Sequence, residues 1–193
     1  MKERKGFGND LALFGSVRVL AAAALLAAMS LILGKFLQIP NPFSNIFRIS
    51  FENLPIILAG ICFGPAVGGA VGVVADVVGC LLYGYAINPI ITLGAAVVGI
   101  VSGIVACYII RKPKLLSVLA ATISAHLLGS VLVKSFGLAA WYLSQYNLGL
   151  TQLILWRLGL YCVIGTAECM LIYFLTTRRA VMRQIEKMRA RRK

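Results

Sequence analysis

Residues 48–103 read RISFENLPIILAGICFGPAVGGAVGVVADVVGCLLYGYAINPIITLGAAVVGIVSG, an almost wholly apolar run whose middle part holds a single carboxylate, that of Asp76. A charged side chain near the centre of a bilayer costs about 2.5 to 3.5 kcal/mol even on scales derived from membrane insertion. Charged residues at such depths therefore tend to mark ligand sites, proton relays or buried ion pairs. Asp76 is a candidate for one of these roles.

The composition of the whole chain is that of an integral membrane protein. Its 193 residues are 60% hydrophobic and 13% charged, with a mean hydropathy of +0.91, which does not describe a soluble domain. Uncharged runs of about 20 residues span a bilayer as helices, whereas transmembrane strands alternate and are about ten residues long. We therefore predict an all-α membrane protein, with six transmembrane helices in a compact bundle.

Six apolar segments are predicted as the membrane helices. The second is short, because a helix of its length reaches only about 20 Å. It either dips partway into the membrane or continues through the break at Gly64 and Pro65 as a tight helical hairpin. In chain order the segments are 17–36, 51–63, 65–83, 90–110, 115–143 and 150–176.

The distribution of basic residues predicts the orientation of the bundle. Fourteen of the nineteen Lys and Arg residues fall on one side of a six-helix arrangement, in residues 1–16, in the connection after the fourth segment and in residues 178–193. The positive-inside rule makes that side cytoplasmic, with both termini inside. We expect a cytoplasmic N-terminus (1–16), a transmembrane substrate-binding domain (17–177) and a basic cytoplasmic tail (178–193). Attraction to the membrane surface, and not to nucleic acid, explains the net charge of +13.

Three other basic residues are expected in the outer half of the membrane. Lys134 lies nearly two thirds of the way outward along the fifth segment, Arg157 lies about two turns below the outer end of the sixth, and Arg48 lies above them. Together they could surround an anionic ligand, or they could snorkel to the outer headgroups. Asp76 could pair with Lys134 or Arg157 in a structural ion pair, or accept two hydrogen bonds from the amidine-like face of a heterocycle.

Other polar and aromatic residues accompany this group. Trp141 belongs to the aromatic belt of the outer interface or stacks on a flat ligand ring. Asn88 precedes a proline and fits the start of a helix, where it caps the helix or helps to face a ligand. His126 and Glu168 are predicted to form a hydrogen-bonded pair between two helices. The sequence has no HExxH motif or serine elbow, and we do not expect an enzyme.

Several motifs together resemble one family. They are an alanine-rich first helix with AxxxA spacing, SFENLP at 50–55, FGPxxGGxxGxxxDxxG at 63–79, NPxxTLG at 88–94 and a basic tail. This set resembles the substrate-binding S components of energy-coupling factor (ECF) vitamin transporters over nearly the whole chain. The blocks at 63–79 and 88–94 are similar to the folate branch of that family.

The resemblance implies a mechanism and partners. In that family the alanine motif docks onto a membrane-embedded T component, which here assigns docking to Ala23, Ala24, Ala27 and Ala28. Two cytoplasmic ATPases would supply energy, and the chain has no GxxxxGK[ST] motif of its own and no predicted cofactor. The S component would capture folate outside the bacterial plasma membrane, topple after docking and release the vitamin inside. The substrate-binding residues predicted on this basis are Arg48, Asp76, Asn88, Lys134, Trp141 and Arg157.

Three alternatives stay open at this point. The ligand could be another vitamin, such as pantothenate or thiamine, although a thiamine carrier would favour acidic and aromatic contacts over three basic residues. A self-sufficient ion-coupled transporter would need inverted repeats and more carboxylates within the membrane. A membrane scaffold would use the alanine face alone and leave Asp76, Lys134 and Arg157 without a ligand.

Overall fold

The apolar segments form helices close to their predicted positions. A computed structural model describes residues 12–36, 39–40, 48–110, 114–146 and 150–189, without the side chains of 12–13, 39–40, 48–49, 141–146 and 189. Five helical stretches, two of them continued through π-helical turns, are long and apolar enough to cross a membrane, which confirms a helical membrane protein. The helices are α1 Val17–Phe36, α2 Asn53–Phe63, α3 Pro65–Tyr83, α4 Pro89–Ile104, α5 Lys114–Ala125, α6 Lys134–Tyr146, α7 Leu150–Thr177 and α8 Arg179–Arg189.

Two helices contain wider turns, and one connection contains a short sheet. A π-helical segment, Val105–Ile109, extends α4, and another, His126–Val133, joins α5 to α6 into one long helix. Between α1 and α2 the chain pairs β1, Ile39–Pro40, with β2, Arg48–Ile49, as two-residue antiparallel strands. The sequence pattern did not predict these strands, because two residues are too few to show an alternation.

The short second helix lies in the interior of the bundle. All of α2 is buried except Ile61, so its neighbours and not lipid surround it. Its last turn ends at Gly64, which has a φ of 99°, a conformation that favours glycine. Pro65 follows as the first residue of α3, where its missing N–H is not needed. The predicted break therefore separates a buried half-length helix from a full-length one.

The backbones of α2, α3 and α4 approach one another through glycines. A Cβ placed on Gly99 of α4 would overlap the carbonyl group of Gly68 in α3, and a Cβ on Gly68 would overlap the backbone of Gly60 in α2. Helices approach this closely in membranes where small residues leave room for direct backbone contact. Ser102 adds a hydrogen bond from its hydroxyl to the carbonyl of Gly99 within α4. This packed centre holds the polar ends of the helices in place.

Replacing Gly99 by Ala is expected to destabilise the protein by about 1 to 3 kcal/mol, because the added methyl group must push two rigid backbones apart. The matched control is Gly159→Ala in α7, where nothing lies within 4 Å of a Cβ. The control should be neutral or slightly stabilising. Thermal unfolding of both variants in detergent measures the difference. Equal melting temperatures would contradict the close packing of α3 against α4.

The C-terminal segment, predicted as a tail, contains a helix that packs onto the bundle. Ile185 of α8 is 7% exposed and belongs to the same apolar core as residues of α1 and α2. Val181, Met182 and Met188 lie against that core as well. The basic residues Arg179, Arg183 and Lys187 fall on the exposed face of this helix. The helix is thus amphipathic, with its apolar side occupied by the protein itself.

Candidate ligand site

One end of the bundle gathers most of the charged residues that the sequence singled out. The hydroxyl of Tyr83 at the end of α3 donates to the carbonyl of Leu31 in α1 at 2.6 Å. The amide of Asn88, which precedes α4, donates to the carbonyl of Gly137 in α6 at 3.0 Å. These contacts bring the ends of four helices together. We call this end of the bundle the polar end.

Lys134 is buried at the polar end and has an acidic partner. Its side chain is 7% exposed, and its Nζ lies 3.0 Å from Oε1 of Glu52, the residue before α2. Nζ also lies 3.5 Å from Oδ1 of Asn53. The charge of Lys134 is therefore compensated within the chain.

Arg157 is buried as well, but its partners are neutral. Its Nε and Nη2 donate to the carbonyl of Ser130 at 3.2 and 2.8 Å. Nη2 also lies 3.4 Å from the hydroxyl of Tyr161, one turn further along α7. Arg157 is 9% exposed, and no acidic side chain among the described residues forms an ion pair with it. A buried guanidinium without a carboxylate partner is costly in a membrane and suits an anionic ligand.

Asp76 faces the polar end from the middle of α3. Its Oδ2 accepts a hydrogen bond from the hydroxyl of Thr92 in α4 at 2.6 Å, and that hydroxyl lies 3.2 Å from the carbonyl of Asn88. Among the described residues Asp76 forms no ion pair, so the predicted contact with Lys134 or Arg157 is absent there. Asp76 remains half-buried, with one oxygen committed to Thr92.

Asn88 has the capping role that the sequence indicated. Its Oδ1 accepts from the backbone N–H of Ile90 at 2.9 Å, while its Nδ2 donates to α6. The oxygen of the amide thus caps α4, and its nitrogen attaches the start of α4 to α6. Two other predicted residues fall outside the description: the side chains of Arg48 and Trp141 are not described, although the backbone of Arg48 lies in β2.

A second polar group continues from Arg157 away from the polar end. Tyr161 stacks on His126, with ring centroids 4.8 Å apart. Nε2 of His126 lies 2.6 Å from Oε2 of Glu168, and both side chains are buried. The predicted hydrogen-bonded pair between two helices is confirmed. Tyr161 connects this pair to Arg157, because its hydroxyl lies near Arg157 and its ring stacks on His126.

Sequence reasoning missed four residues of this arrangement: Glu52, Asn53, Ser130 and Tyr161. A signal existed for Glu52, because the chain has only six acidic residues and Glu52 is one of few within its apolar part. Asn53 is fully buried and donates to Ser130 at 3.3 Å. Ser130 accepts from Asn53 through its hydroxyl and from Arg157 through its backbone carbonyl, and no sequence pattern reveals the role of the carbonyl. Tyr161 was hidden among other aromatic residues.

The four alanines predicted for docking lie on two sides of α1. Ala27 is 4% exposed and belongs to the core, and Ala23 is half-buried against that core. Ala24 and Ala28 are exposed. The two AxxxA pairs therefore differ: one packs inside this chain, and the other leaves a smooth strip of small residues on its surface.

The fold and the polar end define a class of protein. It is a multi-pass plasma-membrane protein that keeps charged side chains buried at one end of a helical bundle, as substrate-binding membrane proteins do. The chain belongs to the family of ECF transporter substrate-specific components, whose family model matches residues 18–177.

Individual relatives agree with this family. The folate transporter FolT of Clostridium novyi (strain NT) is 33% identical over 89 residues, which are 46% of this chain and 50% of that protein. The chain thus aligns with about half the length of this relative. A crystal structure of FolT bound with folic acid has a TM-score of 0.64 at 26% identity, over 82% of this chain and 92% of the other. The S component of a bacterial ECF transporter shares the fold, with a TM-score of 0.59 at 24% identity, over 82% and 95% of the two chains.

Proposed function

We propose that this chain captures folate for an ECF transporter in the bacterial plasma membrane. The observation that carries the proposal is Arg157, a buried cation without a described acidic partner, at the end of the bundle where Asp76 also lies. The likeness to FolT bound with folic acid supports folate over other vitamins. The chain itself would be no enzyme, since it binds and does not convert its ligand.

The two ends of folate suit the two charges of the site. The glutamate tail carries carboxylates, which the fork of Arg157 binds as a bidentate pair. The pterin presents N–H donors, which a carboxylate such as that of Asp76 accepts. Lys134 adds positive potential, but its pairing with Glu52 makes it the weaker contact. We place Arg48 and Trp141 beside the ligand, while Asn88 positions α4 and α6 around it.

The proposed transport cycle needs a defined orientation. We place six segments in the membrane, with α2 as the short one, and both termini in the cytoplasm. The polar end then faces outward, where the vitamin arrives. After capture the subunit docks onto the T component through Ala24 and Ala28, topples in the membrane and releases the vitamin inside. Two cytoplasmic ATPases supply the energy.

Calorimetric titration of the purified chain in detergent tests this function. Folate, pantothenate and thiamine are titrated separately, and tight binding of folate alone is expected. Tight binding of pantothenate or thiamine would retain the family and replace the substrate. Binding of none of the three by folded protein would favour a membrane scaffold over a vitamin carrier.

Replacing Asp76 by Asn is expected to weaken folate binding by about 10- to 100-fold, because a hydrogen bond to a charged group contributes about 1.5 to 3 kcal/mol. The carboxylate has two accepting oxygens, and Thr92 donates to one of them. The amide has a single oxygen, so binding to Thr92 leaves no second oxygen for the ligand. Glu186→Gln on the exposed face of α8 makes the same chemical change far from the site and should leave affinity unchanged. Calorimetry with folate compares the two variants. An unaltered affinity in Asp76→Asn would place Asp76 outside the ligand contacts.

A further inference from the structure

An open cavity of about 720 Å³ lies where α7 ends and α8 begins. Its walls combine apolar side chains from the last turns of α7 with two arginines at the helix junction. No acidic residue is among the residues that line it. The lining residues are Met170, Tyr173, Phe174, Thr177, Arg178 and Arg179.

The apolar wall belongs to the membrane-facing side of α7. Met170 is 70% exposed and Phe174 is 55% exposed, and both lie in a helix of membrane-spanning length that ends at Thr177. In a bilayer these side chains meet acyl chains, while the two arginines after Thr177 lie at the level of the headgroups. A groove at this depth is filled either by lipid or by protein, since water does not solvate an apolar wall favourably.

The two arginines are held at the mouth of this groove. The guanidinium carbon of Arg178 lies 4.1 Å from the centroid of the Phe174 ring, a geometry that stabilises a cation. Arg179 is the first residue of α8, and α8 is anchored to the core through Ile185. Anchoring of the helix limits how far the arginines can move away from α7. Both arginines line the same cavity.

We propose that this cavity binds an anionic phospholipid. The phosphate accepts hydrogen bonds from Arg178 and Arg179, and the first part of an acyl chain lies along Met170 and Phe174. Guanidinium groups bind phosphate with paired, charge-assisted hydrogen bonds. The apolar wall selects a lipid over a free phosphate ion, because only a lipid covers it. The placement of this lipid in the cytoplasmic leaflet rests on the orientation proposed above, whereas the binding itself does not.

Native mass spectrometry of the purified chain with defined lipids tests the site. Phosphatidylglycerol and phosphatidylcholine with identical acyl chains are added in equal amounts, and phosphatidylglycerol is expected to be retained preferentially. Arg178→Gln combined with Arg179→Gln should lower its retention by about 25-fold, at roughly fivefold for each arginine near a headgroup. The matched control, Arg183→Gln with Lys187→Gln, removes the same charge from the exposed face of α8, away from the cavity, and should change little. Melting temperatures without added lipid check that each variant is folded.

Each of three results would overturn the proposal. Equal losses in the two double variants would mean diffuse attraction to basic residues. Equal retention of both lipids by the parent chain would mean an apolar groove without headgroup selection. Displacement of phosphatidylglycerol by the same concentration of glycerol 3-phosphate would mean an anion site that does not need a lipid, and this measurement uses the parent chain alone. The charge-conserving variant Arg178→Lys with Arg179→Lys should keep only part of the binding, because Lys retains the charge but not the fork.

Discussion

Replacing Arg157 by Gln is expected to weaken folate binding by about 30-fold or more, since truncating a buried charge that binds an opposite charge costs about 2 to 5 kcal/mol. Calorimetry on the purified variant measures this loss. The large effect follows from the surroundings of Arg157: its described partners are the carbonyl of Ser130 and the hydroxyl of Tyr161, and neither neutralises the guanidinium. The ligand carboxylate would be the group that does.

Controls separate ligand binding from a structural role of Arg157. Arg157→Lys retains the charge but not the fork, and it should recover part of the affinity. Lys134→Gln should cost less than Arg157→Gln, because Glu52 already pairs with Lys134. Arg157→Gln gives up the hydrogen bonds to Ser130, so a modest fall in the melting temperature of the ligand-free protein is expected for either role, and folate affinity distinguishes the two roles. A variant with normal folate affinity and a lowered melting temperature would make Arg157 a structural residue and contradict the proposed site.

Replacing Ala28 by Trp is expected to abolish folate uptake, with a loss of at least about tenfold, while folate affinity stays that of the parent. Ala28 is exposed on α1, and an indole there prevents the close approach that small residues allow. The measurement is uptake into proteoliposomes that contain the chain with its T component and ATPases. Co-purification of the complex should fail in parallel.

Two further variants show whether this effect belongs to one surface. Val163→Trp adds the same indole at a position of α7 that is 74% exposed, and uptake should persist because that face meets lipid. Ala27→Trp should instead reduce folding, because Ala27 packs inside the chain with an exposure of 4%. Unimpaired uptake by Ala28→Trp would exclude this face of α1 as the docking surface.

The charges of the polar end explain why the two basic residues are not equivalent. Lys134 and Arg157 lie at similar depths in the sequence-based arrangement and carry the same charge. The structure gives Lys134 a carboxylate and Arg157 a carbonyl. A ligand carboxylate therefore gains more from Arg157, where it replaces no existing ion pair. Of these two cations, Arg157 is therefore the principal contact in the proposed site.

Local patterns in the sequence located most of the apolar helices, but they missed α8 and the π-helical segments. The spans of α1 and α3 match the predicted segments residue for residue, because apolar length and the flanking Pro and Gly residues act over a few positions. The break at Gly64 and Pro65 depends on the φ of one glycine and the missing N–H of one proline. The cap at Asn88 depends on an interaction two residues along the chain. The pairing of His126 with Glu168 was also predictable, since few polar groups were available inside the two helices.

Only the tertiary structure decided which distant residues meet and which face of each helix is buried. Lys134 and Glu52 are 82 positions apart, and their contact exists because the long side chain of Lys134 reaches the start of α2 inside the bundle. Ala27 and Ala28 are adjacent and chemically identical, yet one is in the core and the other on the surface. The rotation of α1 about its axis separates them, and that rotation is set by packing against α2 and α3. Helix formation is governed by neighbours within one or two turns, whereas rotation and long-range pairing depend on the shapes of all the helices at once.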